Sequence, residues 1–310
     1  MKIISTLVIL FFSMWVSAAP PLNNIVVFGD SLSDNGNLYE YLKHQLPLSP
    51  PYFNGRFSNG PVWVEHLIRY YYPMNAKDHL LDYAFGGAGV LEDDDGDAMF
   101  TLRRELNSYF LAHQEKADER SLYVMWIGSN NYLGVPDDVE QSVSDVILGI
   151  EHALQRLVKN GAKHILVVNV PDLGRTPAAK EFDAVATLTY LSRRHNDLLE
   201  KLIQNFKAHH PEIQWIYFDV NVVFEDVFDK PLYYGFTNIT DTCYEAIIPN
   251  KSSKRFGVLK MASFIQPKMG KDVCNGYLFF DPVHPTEPVH LLMAERTKML
   301  LDNEGIEFED

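Results

Sequence analysis

Short apolar runs of strand length alternate along the chain with longer segments whose apolar residues recur every three or four positions. The short runs are residues 25–28, 80–85, 122–127, 164–170 and 215–219, rich in β-branched and aromatic side chains. Helical spacing is read over 62–72, 102–111, 143–158, 177 to about 208, and 287–301. Gly161 closes the third of these and Thr286 is suited to cap the last. Runs that are apolar on consecutive residues are buried on both faces. Their alternation with helices predicts an α/β fold in which a central five-stranded parallel sheet is covered on both sides. Residues 92–97 read as an acidic turn, and from 220 to 280 the periodicity breaks up into aromatics, glycine, proline and both cysteines. A loop of that length is uncommon without a functional or covalent reason.

Residues 1–18 change the picture of where this domain works. Lys2, an apolar stretch over 3–16 and small residues at Ser17 and Ala18 have the layout of a secretory signal peptide cut after Ala18. The stretch is shorter than the roughly 20 apolar residues of a spanning helix, and no later segment is long enough to cross a bilayer. Residues 19–310 are therefore expected to form one exported domain, secreted or periplasmic, with no transmembrane span and an insertion around 220–280. A net charge of −14 disfavours a phosphate-neutralising surface, so nucleic acid is excluded as a partner class. The only cysteines, Cys243 and Cys274, are expected to form one disulfide in an exported chain. They cannot close a zinc site alone, and no metal-ligand spacing emerges elsewhere.

Candidate chemistry starts at Ser31, which follows the first apolar run where α/β sheets bind ligands, at the carboxyl edge. A serine nucleophile needs a base, an anion that orients the base, and donors for an oxyanion. In Asp281-Pro282-Val283-His284 the spacing and the proline-restricted turn before a helix can aim a carboxylate at an imidazole.

With these two ends of the chain together, Phe28-Gly29-Asp30-Ser31-Leu32-Ser33-Asp34 resembles the signature of GDSL lipases and esterases. Three later blocks resemble that family in the same order: Tyr83-Ala84-Phe85-Gly86-Gly87-Ala88, Ile127-Gly128-Ser129-Asn130-Asn131-Tyr132, and Asp281-Pro282-Val283-His284. The resemblance implies a flavodoxin-like three-layer α/β/α SGNH-hydrolase fold. It implies Ser31 as nucleophile, His284 as general base and acid, and Asp281 as the group that orients His284. The oxyanion donors it implies are the amides of Ser31 and Gly87, or Gly86 one residue earlier, with the Asn130 side chain. Where the family has an aspartate after that asparagine, this chain has Asn131. The run Gly55-Arg56-Phe57-Ser58-Asn59-Gly60-Pro61-Val62-Trp63-Val64-Glu65 is similar to the branch of secreted bacterial phospholipases A, lysophospholipases A and glycerophospholipid:cholesterol acyltransferases.

That branch implies an exported serine esterase acting on lysophospholipid or phospholipid, without a cofactor, with cholesterol as the acyl acceptor in the alternative reading. A carbohydrate esterase and a catalytically dead lipid-binding protein are the lesser alternatives. Tyr39, Tyr41, Tyr52, Phe53, Tyr233, Tyr234 and Phe236 could build an apolar groove or simply core, and none is assigned to binding.

Overall fold

The computed structural model describes residues 20–91, 100–246, 265–267 and 274–309. The leader at 1–18 and the acidic turn at 92–97 lie outside the described residues. Strands β1 (Asn24–Gly29), β2 (Leu80–Asp82), β3 (Ser121–Trp126), β4 (His164–Val168) and β5 (Gln214–Phe218) form one sheet in the order β2-β1-β3-β4-β5, every pair parallel. This is the flavodoxin-like order, in which ligands bind at the carboxyl ends of β1 and β3, where the winding reverses.

The described helices are α1 (Asn37–Tyr41), α2 (Trp63–Tyr71), α3 (Ala76–His79), α4 (Leu102–Ala112), α5 (Ser129–Leu133), α6 (Val139–Lys159), α7 (Pro177–Glu181), α8 (Val185–His209), α9 (Val220–Asp229) and α10 (Glu287–Asn303). Successive strand residues point to opposite faces. Val26, Phe28, Tyr123, Met125, Ile165 and Val167 therefore pack with α4, α6 and α8. Ile25, Val27, Leu122, Val124, Leu166 and Ile216 pack with α2, α9 and α10. The result is three layers with a core on each side of the sheet.

Three local differences from the sequence reading have physical causes. The helix read over 177 to about 208 is two helices, because Asp183 takes a left-handed conformation at φ 52° and the Ala184 amide bonds back to the Ala179 carbonyl. Residues 220–229, read as irregular, form α9, whose Val220, Phe224 and Val227 complete the second core. Thr286 stands at the start of α10, but its hydroxyl donates to the Tyr277 and Leu278 carbonyls. The Glu287 amide is received by Asn59 Oδ1 at 2.8 Å instead.

Beyond α9, β6 (Asn238–Thr242) pairs in parallel with β9 (Tyr277–Phe279), and β7 (Tyr244–Ala246) pairs antiparallel with β8 (Ile265–Pro267). Cys243 and Cys274 are joined in a disulfide. Cys243 and Tyr244 donate backbone bonds to Phe279 and Phe280, which places the disulfide's first half beside the turn that carries Asp281.

His290, on α10, is fully buried, and among the described residues neither ring nitrogen has a hydrogen-bond partner. Burial, with the His66 and His284 rings adding to it, pushes its pKa down to about 3. A folded value below the ordinary 6.5 means that the ring stays neutral in the fold and takes a proton on unfolding. Its contribution to stability is then present above pH 6.5 and is lost as pH falls toward 3. His290→Leu, close to isosteric, is expected to retain about 2 kcal/mol more of its stability than the wild type between pH 6.5 and 5. Urea unfolding of both proteins across that range checks this.

Candidate active site

Ser31 stands two residues beyond β1, in the turn Asp30–Asp34, where the Ser33 and Asp34 amides bond to the Asp30 carbonyl. Asp281 and His284 occupy the turn before α10, and all three side chains are buried. His284 Nε2 lies 2.8 Å from Ser31 Oγ, and His284 Nδ1 lies 2.6 Å from Asp281 Oδ2. With the ring proton on Nδ1 facing the carboxylate, the Ser31 hydroxyl donates to Nε2. Ser31 and His284, 253 positions apart in sequence, meet because β1, an interior strand, and α10 border the same core on one face of the sheet.

Asp281 is held from four directions. Its Oδ1 accepts the Val283 and His284 amides at 2.9 and 2.8 Å, and its Oδ2 accepts both His284 Nδ1 and the Tyr52 hydroxyl, the latter at 2.6 Å. Burial alone would raise this carboxyl. The His284 ring, with the His284, Tyr52 and Val283 hydrogen bonds, outweighs burial and holds it below the usual carboxylate range.

Tyr52 belongs to the loop at 50–60, which straps the Asp281 turn in place. Ser58 Oγ donates to the Pro285 carbonyl at 2.9 Å, Asn59 receives the Glu287 amide, and the Phe57 ring lies 5.1 Å from that of His284. Arg56 locks the loop to α2 through two bonds to Glu65, at 2.7 and 3.1 Å. The Trp63 indole N–H donates to Ser33 Oγ, joining the same block to the serine turn.

Two other loops carry the remaining candidate donors, and Asn130 lines the same cleft as Ser31. Gly87, at φ 80°, takes a conformation open to glycine at no steric cost. The Gly86 amide is held by Asp34 Oδ2 at 2.7 Å, whereas among the described residues the amides of Gly87 and Ser31 have no acceptor. Asn130, in the first turn of α5, gives one Nδ2 hydrogen to the Ala88 carbonyl at 2.8 Å and keeps the other. Asn131 accepts the Val90 amide through Oδ1, a role that a carboxylate oxygen would also fill. Helix α5 is fixed from behind, where Tyr132 bonds to the buried His195 at 2.8 Å. Gly128, at φ 123°, leaves room there, since a Cβ would come within 2.9 Å of the His195 ring.

Acidic groups are packed beneath the site. Burial pushes Asp30 and Asp34 up to about 6, the latter against four backbone amides, and pushes Asp82 and Glu105 well above their ordinary values. Burial opposes ionisation at all four, while the backbone amides that Asp30 and Asp34 accept work the other way.

Ser31, His284 and Asn130 open into one cleft, lined by Leu32, Leu133, Leu173, Phe224, Phe228, Phe279 and Val283 with Arg175. Of the aromatics considered for a groove, Tyr52 contacts the Asp281 carboxylate, while Tyr233 is exposed. The sequence reading gave Tyr52, Asp34 and Arg175 no role. Asp34 lies inside the quoted serine motif, but the partners of Tyr52 and Arg175 are 229 and 50 residues distant. Among the described residues no cluster of three or more His, Cys, Asp or Glu is arranged to hold a metal ion, and no helix is long and apolar enough to cross a membrane.

Comparison with known proteins gives a consistent picture. Residues 25–297 match the family described as GDSL-like Lipase/Acylhydrolase. The chain is 29% identical to a phosphatidylcholine-sterol acyltransferase of Aeromonas hydrophila, with 92% of each chain covered. It is 29% identical to the secreted effector protein SseJ of Salmonella typhimurium, over 88% of this chain, and 27% identical to a thermolabile hemolysin of Vibrio parahaemolyticus, over 89%. The matches span 62% and 63% of the length of those last two proteins.

Proposed function

Since the chain belongs to the GDSL-like lipase/acylhydrolase family, a family of serine hydrolases acting on lipid and ester substrates, we propose that it cleaves acyl esters of lysophospholipids or phospholipids through an acyl-enzyme on Ser31. The observation that carries this reading is the hydrogen-bonded line from Ser31 through His284 to Asp281, opening into an apolar cleft. Ser31 Oγ attacks the ester carbonyl as its proton passes to His284 Nε2, and Asp281 stabilises the imidazolium that forms. The carbonyl oxygen, now negative, takes hydrogen bonds from the Ser31 and Gly87 amides and the second Nδ2 hydrogen of Asn130. His284 then protonates the leaving alcohol, and water attacks the acyl-enzyme by the same path in reverse. No cofactor enters these steps.

The apolar lining of the cleft, with Leu32, Leu133, Phe224 and Phe228, suits the acyl part of such an ester. Export through the leader at 1–18 would bring the enzyme to extracytoplasmic lipid.

A second reading, transfer of the acyl group to a sterol, is favoured by the Aeromonas relative, whose name states that activity. Product analysis from lysophosphatidylcholine with and without cholesterol decides between the two. Free fatty acid as the main product in both supports hydrolysis, abundant steryl ester supports transfer, and acyl release confined to acetyl-xylan or to no substrate overturns the lipid reading.

Tyr52 acts through Asp281. Tyr52→Phe removes one charge-assisted hydrogen bond and is expected to lower kcat roughly tenfold. With that donor gone the lowering of the Asp281 carboxyl weakens, so the stability it contributes at neutral pH shrinks as well. Steady-state kinetics on a soluble aryl ester measures the first effect and urea unfolding at neutral pH the second, and an unchanged kcat contradicts this role.

A further inference from the structure

The cleft beside Ser31 contains one cation that ester cleavage does not use. Among its described lining residues Arg175 is the only lysine or arginine, in a chain whose net charge is −14. It ends the 3-10 turn Leu173–Arg175 after β4, which is fixed by the bond from the Gly174 amide to Asp172 Oδ1 and by a second bond to that oxygen from the Thr189 hydroxyl. The guanidinium lies over the Phe228 ring, 4.9 Å from its centroid, so a cleft wall sets its position. Its one ion pair among the described residues, Nη2 to Glu225 Oε2 at 3.2 Å, joins side chains that are 49% and 38% exposed, and pairs of that kind hold little energy. Among the described residues Nε and Nη1 have no acceptor and Nη2 has a second hydrogen, which leaves one edge of the planar group free for a two-point contact with an oxyanion.

In an apolar cleft a few placed polar groups fix which ligand sits there and how. The oxyanion of acyl transfer is already served by Gly87, Asn130 and Ser31, so Arg175 addresses another part of the substrate. A glycerophospholipid has one other anionic part, a phosphodiester on the glycerol that bears the ester. We propose that Arg175 reads this phosphodiester, binding it through the free guanidinium edge and making the cleft selective for phosphate-bearing acyl esters over phosphate-free ones. This inference rests on the lipid reading above. Glu225 competes for the same guanidinium and weakens the site.

The test compares two esters of equal acyl chain in the same neutral detergent micelles, 1-acyl-lysophosphatidylcholine and 1-monoacylglycerol, using the full chain. The quantity read is the ratio of their kcat/KM values. Arg175→Ala is expected to lower that ratio tenfold or more, mainly through KM for the phospholipid. Arg175→Lys should give an intermediate ratio, since a point charge replaces the fork, and Glu225→Gln should raise it two- to threefold by releasing the guanidinium. A ratio within twofold of wild type in both Arg175 variants, with the wild type cleaving both esters, overturns the role of Arg175 and leaves the lipid reading intact. A loss shared equally by both esters overturns it too, as that is the mark of packing on Phe228. Wild-type cleavage of monoacylglycerol with none of the lysophospholipid overturns the phospholipid reading and this inference with it.

Discussion

Ser31→Ala, His284→Ala and the double substitution are each expected to lower kcat for ester hydrolysis by about the same factor, roughly 10⁴ to 10⁶. In the proposed mechanism the two side chains work as one unit across the 2.8 Å contact between Oγ and Nε2. Without the hydroxyl there is no bond-forming atom, and without the imidazole the hydroxyl keeps its proton and is a poor nucleophile. Removing the second member therefore removes little that remains. Activity left in the double variant comes from the cleft and the oxyanion donors, which no longer act on a covalent step. Steady-state kinetics on an aryl ester, with purification free of contaminating esterase, measures the three factors. Multiplication of the single effects in the double variant contradicts a shared proton transfer.

Asn130→Ala should lower kcat by roughly 10² to 10³ while changing KM little. The reason is differential: a ground-state carbonyl draws weakly on the donors, whereas the tetrahedral oxyanion draws strongly on them in a site that excludes water. In the proposed mechanism the Ser31 and Gly87 amides are backbone groups and survive any substitution of side chains, so Asn130 is the one donor that a mutation can delete, together with its bond to the Ala88 carbonyl. Helix α5 does not depend on it, because Tyr132 and His195 hold that helix through their own bond. A fall in KM of the same size as the fall in kcat would count against a role confined to the transition state, and unchanged circular dichroism would keep the comparison valid.

The sheet was legible because its strands are short apolar runs separated by periodic helices, and buried parallel strands allow few other readings. Ser31 was legible for a related reason, since a polar residue just beyond such a run falls at the sheet's carboxyl edge wherever the strand lies in the order. Asp281 and His284 stand three residues apart, so their pairing is local, and local geometry leaves a trace in spacing. Tyr52 left none. Its bond to Asp281 closes 229 residues, and as one of many aromatics in a proline-bearing loop it is indistinguishable from core until the loop is folded across α10. Arg175 was silent for the same cause, its setting being made by α9, where the sequence pattern suggested no helix. Asn59 and Thr286 add a smaller lesson. Capping preference marked the threonine, but two nearby carbonyls drew its hydroxyl away and a distant asparagine met the exposed amide.

The central claim is that Ser31 Oγ is the atom that attacks the acyl group. Treating the folded protein with a fluorophosphonate ester and mapping the adduct by peptide mass spectrometry tests it directly, because only a serine activated by its base and facing oxyanion donors reacts rapidly with that group. One phosphonyl adduct per chain, on the peptide that contains Ser31 and abolished by His284→Ala, is the expected result. No adduct, or an adduct on another residue with Ser31 unmodified, would contradict the account.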